Sequence, residues 1–252
     1  MLLAASTPGP PLSAFVELFW LYESQAEHPA ERLLPTGSME LVVTLSAPKP
    51  EAVVAGAYSR FALLDTSKPE LVIGVHFRAG GAFPFLHMPA GELHNLDVSL
   101  ADIWGAEAAS LLHERLVAAP TPEAKFAILD QALIAQATTL ERGGAVPWAV
   151  RQLKRCSVAE VTRAIGMSGR GFIEAFRRET GYTPKVFARV QRFQRLLRGI
   201  RDRQPVDWSN AALGCGYYDQ SHLIRDFRAF AGMSPSQYLS VRTDHFNHVP
   251  LT

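Results

Sequence analysis

The sequence of 252 residues lacks several features that would each mark a particular class of protein. Its two cysteines, Cys156 and Cys215, have no CxxC spacing, which argues against a disulfide scaffold or structural zinc and favours thiols packed between helices. No apolar run approaches the roughly 18–20 residues of a membrane-spanning helix. The first residues have no basic segment of the kind that opens a secretory signal. We therefore expect a cytoplasmic globular protein with no membrane partner.

Sequence signatures of catalysis are missing as well. The chain contains no P-loop, no nucleophile-elbow sequence and no spaced pair of catalytic carboxylates. We therefore expect no catalytic residues, no cofactor and no metal.

The net charge of +1 conceals an uneven distribution along the chain. Up to Gly144 there are 8 Lys and Arg against 16 Asp and Glu, a net charge of −8. From Ala145 onward there are 17 against 8, a net charge of +9. An acidic front and a basic back predict two domains with different partners, and the basic one is suited to a polyanion. We place the linker at 142–147 and the domains at 1–142 and 143–252.

The front region has the pattern of a β-rich domain. Runs rich in β-branched and aromatic residues at 15–20, 40–45 and 71–77 are separated by turns that contain Gly or Pro. Many short strands with such turns indicate a small barrel or sandwich. Helical periods follow at 102–119 and again after Thr121, which is the predicted N-cap of a helix that begins with proline.

The back region is punctuated as an all-α domain. Ser157 and Glu160 have the spacing of a capping box, and Gly181 and Gly232 stand where helix ends need a left-handed residue. No strand pattern occurs there. The predicted fold class is therefore α+β, with a β-rich, barrel-like front domain, flanking helices, and then an all-α domain.

Two stretches of the back region, 168–187 and 219–238, match each other at an offset of 51 residues. In each copy a short helix, at 158–164 or 208–213, leads through a glycine turn into a longer capped helix. This is the outline of a helix-turn-helix unit. The domain is therefore predicted to contain two such units.

Helical geometry separates an inward from an outward face in each longer helix. Phe172 and Phe176 point inward in the first, as do Leu223 and Phe227 in the second. Outward Arg offers bidentate hydrogen bonds to guanine and outward Glu accepts from cytosine, so both faces suit the major groove of double-stranded DNA. Ordinary solvated helix surface is the alternative. The outward residues are Arg170, Glu174 and Arg177 in the first unit, and Ser221, Arg225 and Arg228 in the second.

A long helix at 183–201, with a continuous apolar stripe, is predicted between the two units. It would fix the spacing of the two longer helices, which must lie roughly 34 Å apart to enter one face of a duplex. Polar side chains on and beside it are candidates for phosphate contacts, which position the protein without specifying sequence. A solvated face or an ion pair within the domain is the alternative for each. The candidates are Lys185, Arg189, Arg192 and Arg195 on this helix, and Arg178 and Gln220 beside it.

Residues from about Trp148 to Val241 resemble the AraC/XylS family of bacterial transcription regulators. The resemblance lies in AIGMS at 164–168, FRRETGYTP at 176–184, GYYDQSH at 216–222 and GMSP at 232–235. It implies a seven-helix DNA-binding domain whose recognition helices lie at 169–180 and 220–231. Many members have Arg or Lys where this chain has Glu174. The family's base-contact positions fall on Arg170, Ile173, Glu174, Ser221, His222 and Arg225.

The front region resembles, more loosely, the front domain of one subgroup of these regulators, through PTG at 35–37, GVHFRAGG at 74–81 and DIWG at 102–105. Family front domains are often cupin-like barrels that bind an effector or dimerise. The resemblance implies a homodimer, with RNA polymerase and an unidentified small-molecule effector as further partners. Aromatic residues of this region either line an effector pocket or fill the core, and the core is favoured. The pocket candidates are Trp20, Phe77, Phe83 and Phe85.

Three alternatives remain. A metal-dependent cupin-type enzyme fused to the DNA-binding domain would draw on His76, His87 or His94, but no HxH motif with a spaced Glu is present, and a structural role is favoured. A fused DNA-repair methyltransferase would need a reactive cysteine outside the helix-turn-helix units, and neither Cys156 nor Cys215 qualifies. A nonspecific nucleic-acid module would show no preference for one DNA sequence.

Overall fold

The computed structural model describes residues 1–24, 28–47, 49–201, 205–243 and 245–251. A β-rich region with flanking helices comes first and a helical region follows, as the predicted class requires. None of the helices in these ranges is both long enough and apolar enough to cross a bilayer. The front elements are β1 (Leu2–Ser6), β2 (Val16–Glu23), β3 (Ala30–Leu33), β4 (Glu40–Thr44), β5 (Glu51–Ala55), β6 (Ala62–Asp65), β7 (Leu71–Phe77), α1 (Phe83–Leu86), β8 (Asp97–Ser99), α2 (Leu100–Trp104), α3 (Ala106–Ala118) and α4 (Pro122–Gln136).

Six strands form one antiparallel sheet in the order β1-β2-β7-β4-β5-β8. The three predicted strands are confirmed as β2, β7 and β4, and they are neighbours within this sheet. Their side chains alternate between two faces. Phe19, Leu41 and Ile73 lie on the buried face, where the Phe19 ring stacks on Phe126 of α4 at a centroid separation of 6.1 Å. The helices that follow the strands therefore cover one face of the sheet.

The prediction of a single helix at 102–119 is wrong, because the structure has two helices there. α2 ends at Trp104 and α3 begins at Ala106, since Gly105 between them has a φ of 89°. Only glycine adopts that conformation readily, and it interrupts the helical hydrogen bonds. The apolar period resumes after the break, which is why the sequence pattern concealed it. By contrast, α4 begins after Thr121 as predicted, and the Thr121 hydroxyl accepts a hydrogen bond from the amide of Ala124.

The predicted linker at 142–147 is shorter than expected, because its last residues are already helical. Arg142 donates hydrogen bonds to the carbonyls of Ala14 and Ala79, and its guanidinium lies 5.8 Å from the ring centre of Phe15. The segment is thus held against the front region. The helices that follow are α5 (Ala145–Gln152), α6 (Val158–Ile165), α7 (Gly169–Thr180), α8 (Pro184–Ile200), α9 (Trp208–Gly214), α10 (Gln220–Ala231) and α11 (Pro235–Val241).

A C-terminal strand corrects the expectation that the back region has no strand. β9 (His248–Pro250) pairs antiparallel with β3 and completes a second, three-stranded sheet in the order β6-β3-β9. Three residues are too few to show an alternating pattern, so pairing with β3 rather than local sequence forms this strand. In the described residues the two sheets are hydrogen-bonded separately, so the front region is β-rich and only loosely barrel-like, without a closed barrel. Cys215 is buried and Cys156 half-buried between helices.

An ion pair ties β9 to β3 and gives the fold a predicted acid dependence. His248 Nδ1 lies 3.0 Å from Glu31 Oε2, and this hydrogen bond holds the pKa of Glu31 below its ordinary value of 4.5. Because the folded-state pKa is lowered, the pair stabilises the fold above pH 4.5, and this contribution is lost as the pH falls through the folded-state value. We expect Glu31→Gln to flatten the fall in unfolding free energy between about pH 5 and pH 3, measured by urea titration. Glu107→Gln, at an exposed site on α3, is the control; an unchanged acid slope in Glu31→Gln would contradict the assignment.

Candidate nucleic-acid interface

The first helix-turn-helix unit, α6 and α7, is built by local capping. The Ser157 hydroxyl accepts from the amide of Glu160 at 3.3 Å, while the Glu160 carboxylate accepts from the amide of Ser157 at 2.8 Å. The predicted capping box is therefore confirmed. Gly166, with a φ of 71°, ends α6 and turns the chain. Ser168 then caps α7 by accepting from the amide of Gly171 at 3.1 Å.

The second unit, α9 and α10, repeats this construction. Asp207 caps α9 by accepting from the amides of Ser209 and Asn210. Gly216, with a φ of 82°, lies in the turn, and Asp219 accepts from the amide of His222 at 2.6 Å at the start of α10. Both recognition helices have the bounds that the resemblance to the AraC/XylS family implied.

Helix α8 joins the two units and buries one face against each. The ring of Phe193 is fully buried and meets Phe227 and Phe230 of α10 at centroid separations of 5.2 and 5.1 Å. Near the start of α8, Phe187 meets Phe176 of α7 at 5.4 Å. Aromatic pairs at these separations contribute beyond the area that they bury. The distance between α7 and α10 is therefore fixed by a shared aromatic core.

The base-reading candidates in the first half of α7 are exposed. Arg170 and Glu174 side chains are 90% and 64% exposed and form an ion pair with a distance of 2.9 Å from Nε to Oε1. An exposed pair of this kind contributes little stability, so neither residue is committed to it. Ile173 is 46% exposed and presents an apolar surface of the kind that contacts the thymine methyl group. Arg177, further along, packs its stem against Gly91 of the front region.

In α10 the outward residues Ser221, Arg225 and Arg228 are exposed, and no hydrogen bond or ion pair of the described residues involves their side chains. His222 is placed differently, with 30% of its side chain exposed. Its ring stands edge-on to Tyr217 at 5.2 Å, and its Nδ1 accepts from a backbone amide in the preceding turn at 3.4 Å. His222 is thus partly committed to packing of the second unit.

Three of the candidate phosphate contacts on α8 are engaged within the domain. Arg189 donates twice to Asp226 Oδ1, at 2.6 and 3.1 Å, and Asp226 is buried. Arg192 donates to the carbonyl of Gly216 at 3.1 Å, and its guanidinium lies 4.9 Å from the ring centre of Tyr217. For these two arginines the alternative of contacts within the domain describes the structure. Arg195, although exposed, is engaged as well, because it donates to the carbonyls of Lys154 and, at 3.2 Å, Cys215. The other candidates on and near these helices, Lys185 and Gln220, are exposed.

The front region packs against the C-terminal ends of both recognition helices. Arg178 of α7 lies 5.6 Å above the ring of Phe83, which engages it within the protein as well. At the end of α7, a Cβ on Gly181 would lie 2.5 Å from that of Ala57, and at the end of α10 one on Gly232 would lie 2.4 Å from the Phe61 ring. The outward residues of the N-terminal halves stay exposed. The front region therefore covers the C-terminal ends of α7 and α10 and leaves the outward residues of their N-terminal halves open to solvent.

The four aromatic residues predicted for an effector pocket do not share one place. Phe77 and Phe85 are buried and stack at 5.6 Å, so they belong to the core, which was the favoured alternative. Phe83 is half-buried beneath Arg178. Trp20 lies across Gly74 of β7, three residues from Phe77 and therefore on the opposite face of the sheet.

His76 is hydrogen-bonded through both ring nitrogens. Nδ1 lies 2.8 Å from Glu40 Oε1, and Nε2 lies 3.0 Å from Ser38 Oγ. Burial lowers the pKa of His76, but the hydrogen bond and negative charge of Glu40 outweigh it, and the pKa is raised overall. His87 and His94 bond elsewhere, to a helix carbonyl and to a serine. Over the described ranges, no group of three or more His, Cys, Asp or Glu side chains is placed to hold a metal ion.

Two capped helix-turn-helix units on a common spacer helix, with exposed outward side chains, define a DNA-binding protein of the double helix-turn-helix class. Comparisons with known proteins agree. Residues 161–240 match a family described as a helix-turn-helix domain, and residues 5–99 match a domain of unknown function, DUF6597. A probable AraC family transcriptional regulator from Rhodopseudomonas palustris is 31% identical over 38% of this chain and 94% of that chain, with a TM-score of 0.34. No protein of curated function matches.

The chain belongs to the AraC family, as its identity to that regulator over nearly the whole of that chain shows, and it is a DNA-binding transcription regulator. ToxT from Vibrio cholerae is also similar, at 10% identity over 88% of this chain and 98% of that chain, with a TM-score of 0.48. A second ToxT structure, bound to a naphthalenyl butenoic acid, is 10% identical over the same shares of the two chains, with a TM-score of 0.49. A similarity of this size assigns no ligand or partner to this chain.

Sequence reasoning missed Asp226, which holds Arg189 inside the domain. A signal was present, because Asp226 stands three residues after Leu223 and directly before Phe227, both inward residues of α10. An aspartate on the inward side of a recognition helix requires a buried partner. The arginine that meets it lies on another helix, and only the tertiary structure identifies it.

Proposed function

We propose that α7 and α10 read an operator in two successive major grooves. The exposed N-terminal halves of both helices, held at a fixed separation by α8, are the observation that supports this function. On α7, Arg170 suits guanine, Ile173 suits the thymine methyl group and Glu174 suits cytosine. On α10, Ser221 offers a hydroxyl and Arg225 suits guanine. Arg177, His222 and Arg228 lie at the margins of these faces. Lys185 and Gln220 contact phosphates. The central readers are Arg170, Ile173, Glu174, Ser221 and Arg225.

Glu174 offers the sharpest test of base reading by the first unit. As a carboxylate it accepts a hydrogen bond from the N4 amine of cytosine, whereas an amide in its place pairs with adenine. We expect Glu174→Gln to change the preferred base at one operator position and leave the second half-site unchanged, with discrimination of about 1–3 kcal/mol. Site selection with both proteins checks this. Identical motifs from the two would contradict a reading role for Glu174.

We also propose that residues 1–142 form a regulatory domain and 143–252 the DNA-binding domain of a cytoplasmic homodimer that binds a small-molecule effector and contacts RNA polymerase. The loop before β4 supports the regulatory part. Gln194 of α8 donates to the carbonyl of Pro35 at 2.7 Å, and Gln191 of α8 lies against Gly37. The next residue of the loop, Ser38, is the hydrogen-bond partner of His76. A ligand near His76 would therefore act on the spacer helix through this loop.

The regulatory proposal is tested by screening small molecules for a rise in the melting temperature of the full chain. A ligand that also changes operator affinity in the wild type, but not in Gln194→Leu, supports coupling through the loop at 35–38. Ligands that stabilise the chain without any change in operator affinity would contradict it. No step of this function requires catalysis, and no observation favours the metal-enzyme alternative.

A further inference from the structure

A solvent-open cavity of about 430 Å³ lies between α8 and the turn that joins α5 to α6. Its walls are Lys154 and Arg155 from the turn, and Gln191, Arg195 and Arg198 from one face of α8. Four cations therefore line it, and no carboxylate of the described residues does. This cavity belongs to none of the base-reading faces described above.

The cavity is both charged and partly rigid. Arg195 donates to the carbonyl of Lys154 and, at 3.2 Å, to the carbonyl of Cys215, so backbone atoms of the α5–α6 turn and of the second helix-turn-helix unit hold its guanidinium. No ion pair of the described residues involves Lys154, Arg155 or Arg198. A fixed guanidinium among three uncompensated cations has the charge and the donors to bind an anion with several oxygens.

We propose that this cavity is a phosphate-binding site, which takes either two successive phosphates of the DNA strand between the two recognition helices or a free oligophosphate. Its volume exceeds that of one phosphate group, and its cations come from two facing elements, the α5–α6 turn and α8, which suits an anion with several oxygens. Binding of DNA phosphates in this cavity rests on the proposed function, because a duplex read by both helices passes its backbone across the elements that join them. Binding of a free oligophosphate does not depend on the proposed function.

The position of the cavity gives its occupation a consequence for the front region. Gln191 lies against Gly37, where a Cβ would approach its Nε2 to 2.3 Å. The loop at 35–38 therefore borders the cavity wall. Arg195 and Arg198 lie about one and two helical turns along α8 from Gln191, so an anion that they hold is close enough to bias this contact.

The double variant Lys154→Ala, Arg198→Ala tests the site, because both residues are exposed and the fold does not depend on them. The control is Lys68→Ala, Arg115→Ala, which removes the same charges from exposed positions of the front region. In the first arm, operator affinity is titrated against salt. Each lost phosphate contact lowers the slope of log K against log salt by about 0.9, so the double variant is expected to lose nearly 2. Affinity for random DNA should fall in parallel, since phosphate contacts carry no base information.

In the second arm, inorganic pyrophosphate is titrated into DNA-free protein by calorimetry. A reduced salt slope without pyrophosphate binding identifies the DNA backbone as the ligand. Pyrophosphate binding that weakens at least tenfold in the double variant, with an unchanged salt slope, identifies a free oligophosphate. If the wild type prefers no DNA sequence, the proposed base reading fails, and the pyrophosphate titration alone decides whether the cavity binds phosphate. A double variant that equals the control in both arms overturns the phosphate site.

Discussion

Replacing Arg225 with alanine should lower operator affinity about 5- to 150-fold, the equivalent of about 1–3 kcal/mol, and lower affinity for random DNA far less. The side chain is exposed on α10, and no described residue forms a hydrogen bond or ion pair with it, so its donors are available to a base edge. Loss of one bidentate contact to guanine explains the specific effect. Fluorescence anisotropy titrations of both DNAs at one fixed salt concentration measure it.

Arg115→Ala, an exposed arginine on α3 of the front region, is the matched control and should leave both affinities unchanged. If Arg225→Ala weakens binding to operator and random DNA by the same factor, Arg225 contacts phosphate and does not read a base. If alanine at every outward arginine lowered the affinities for operator and random DNA by the same factor, the protein would be a nonspecific nucleic-acid module.

Phe193→Ala should cost about 3–5 kcal/mol of unfolding free energy, the range for large-to-small changes at fully buried aromatic residues. The ring contacts Phe227 and Phe230, which are the inward residues of the second recognition helix. Its removal leaves a cavity between α8 and α10. Proteins of this kind have roughly 5–15 kcal/mol in total, so the variant should lose a large share of its stability. Urea denaturation measures the change.

Phe193→Leu is the comparison for this prediction, because it keeps most of the buried volume and should lose markedly less stability. Ile173→Ala, an exposed apolar change on α7, should stay within about 0.5 kcal/mol of the wild type. A loss under about 1 kcal/mol in Phe193→Ala would show that the aromatic cluster does not join α8 to α10 as described.

The recognition helices could be predicted to the residue because their ends are set by local chemistry. Ser168 and Asp219 cap the starts, and Gly181 and Gly232 end the helices at φ values of 79° and 68°. These signals need no tertiary partner. The break at Gly105 lies within a continuous apolar period and carried no such signal. β9 was missed for the opposite reason, since a three-residue strand exists only through its pairing with β3.

The outward faces of the site were also predictable, because helical periodicity sorts inward from outward residues. Periodicity does not tell which outward arginines meet another part of the protein. Arg189 and Arg192 are engaged by Asp226 and Gly216 of the second unit, and Arg178 by Phe83 of the front region. These contacts depend on how separate helices pack. The cationic cavity likewise combines α8 with a turn more than thirty residues away.

Selection of binding sites from a random DNA library by the full chain tests the central claim, that two linked helices read sequence, most directly. The predicted result is an enriched motif with two conserved boxes whose centres lie about 10–10.5 base pairs apart, one helical turn of DNA. Arg225→Ala should erase preference in one box and Glu174→Gln should alter one base of the other. An unenriched library, or a motif with a single box that both variants change, would contradict reading by two recognition helices.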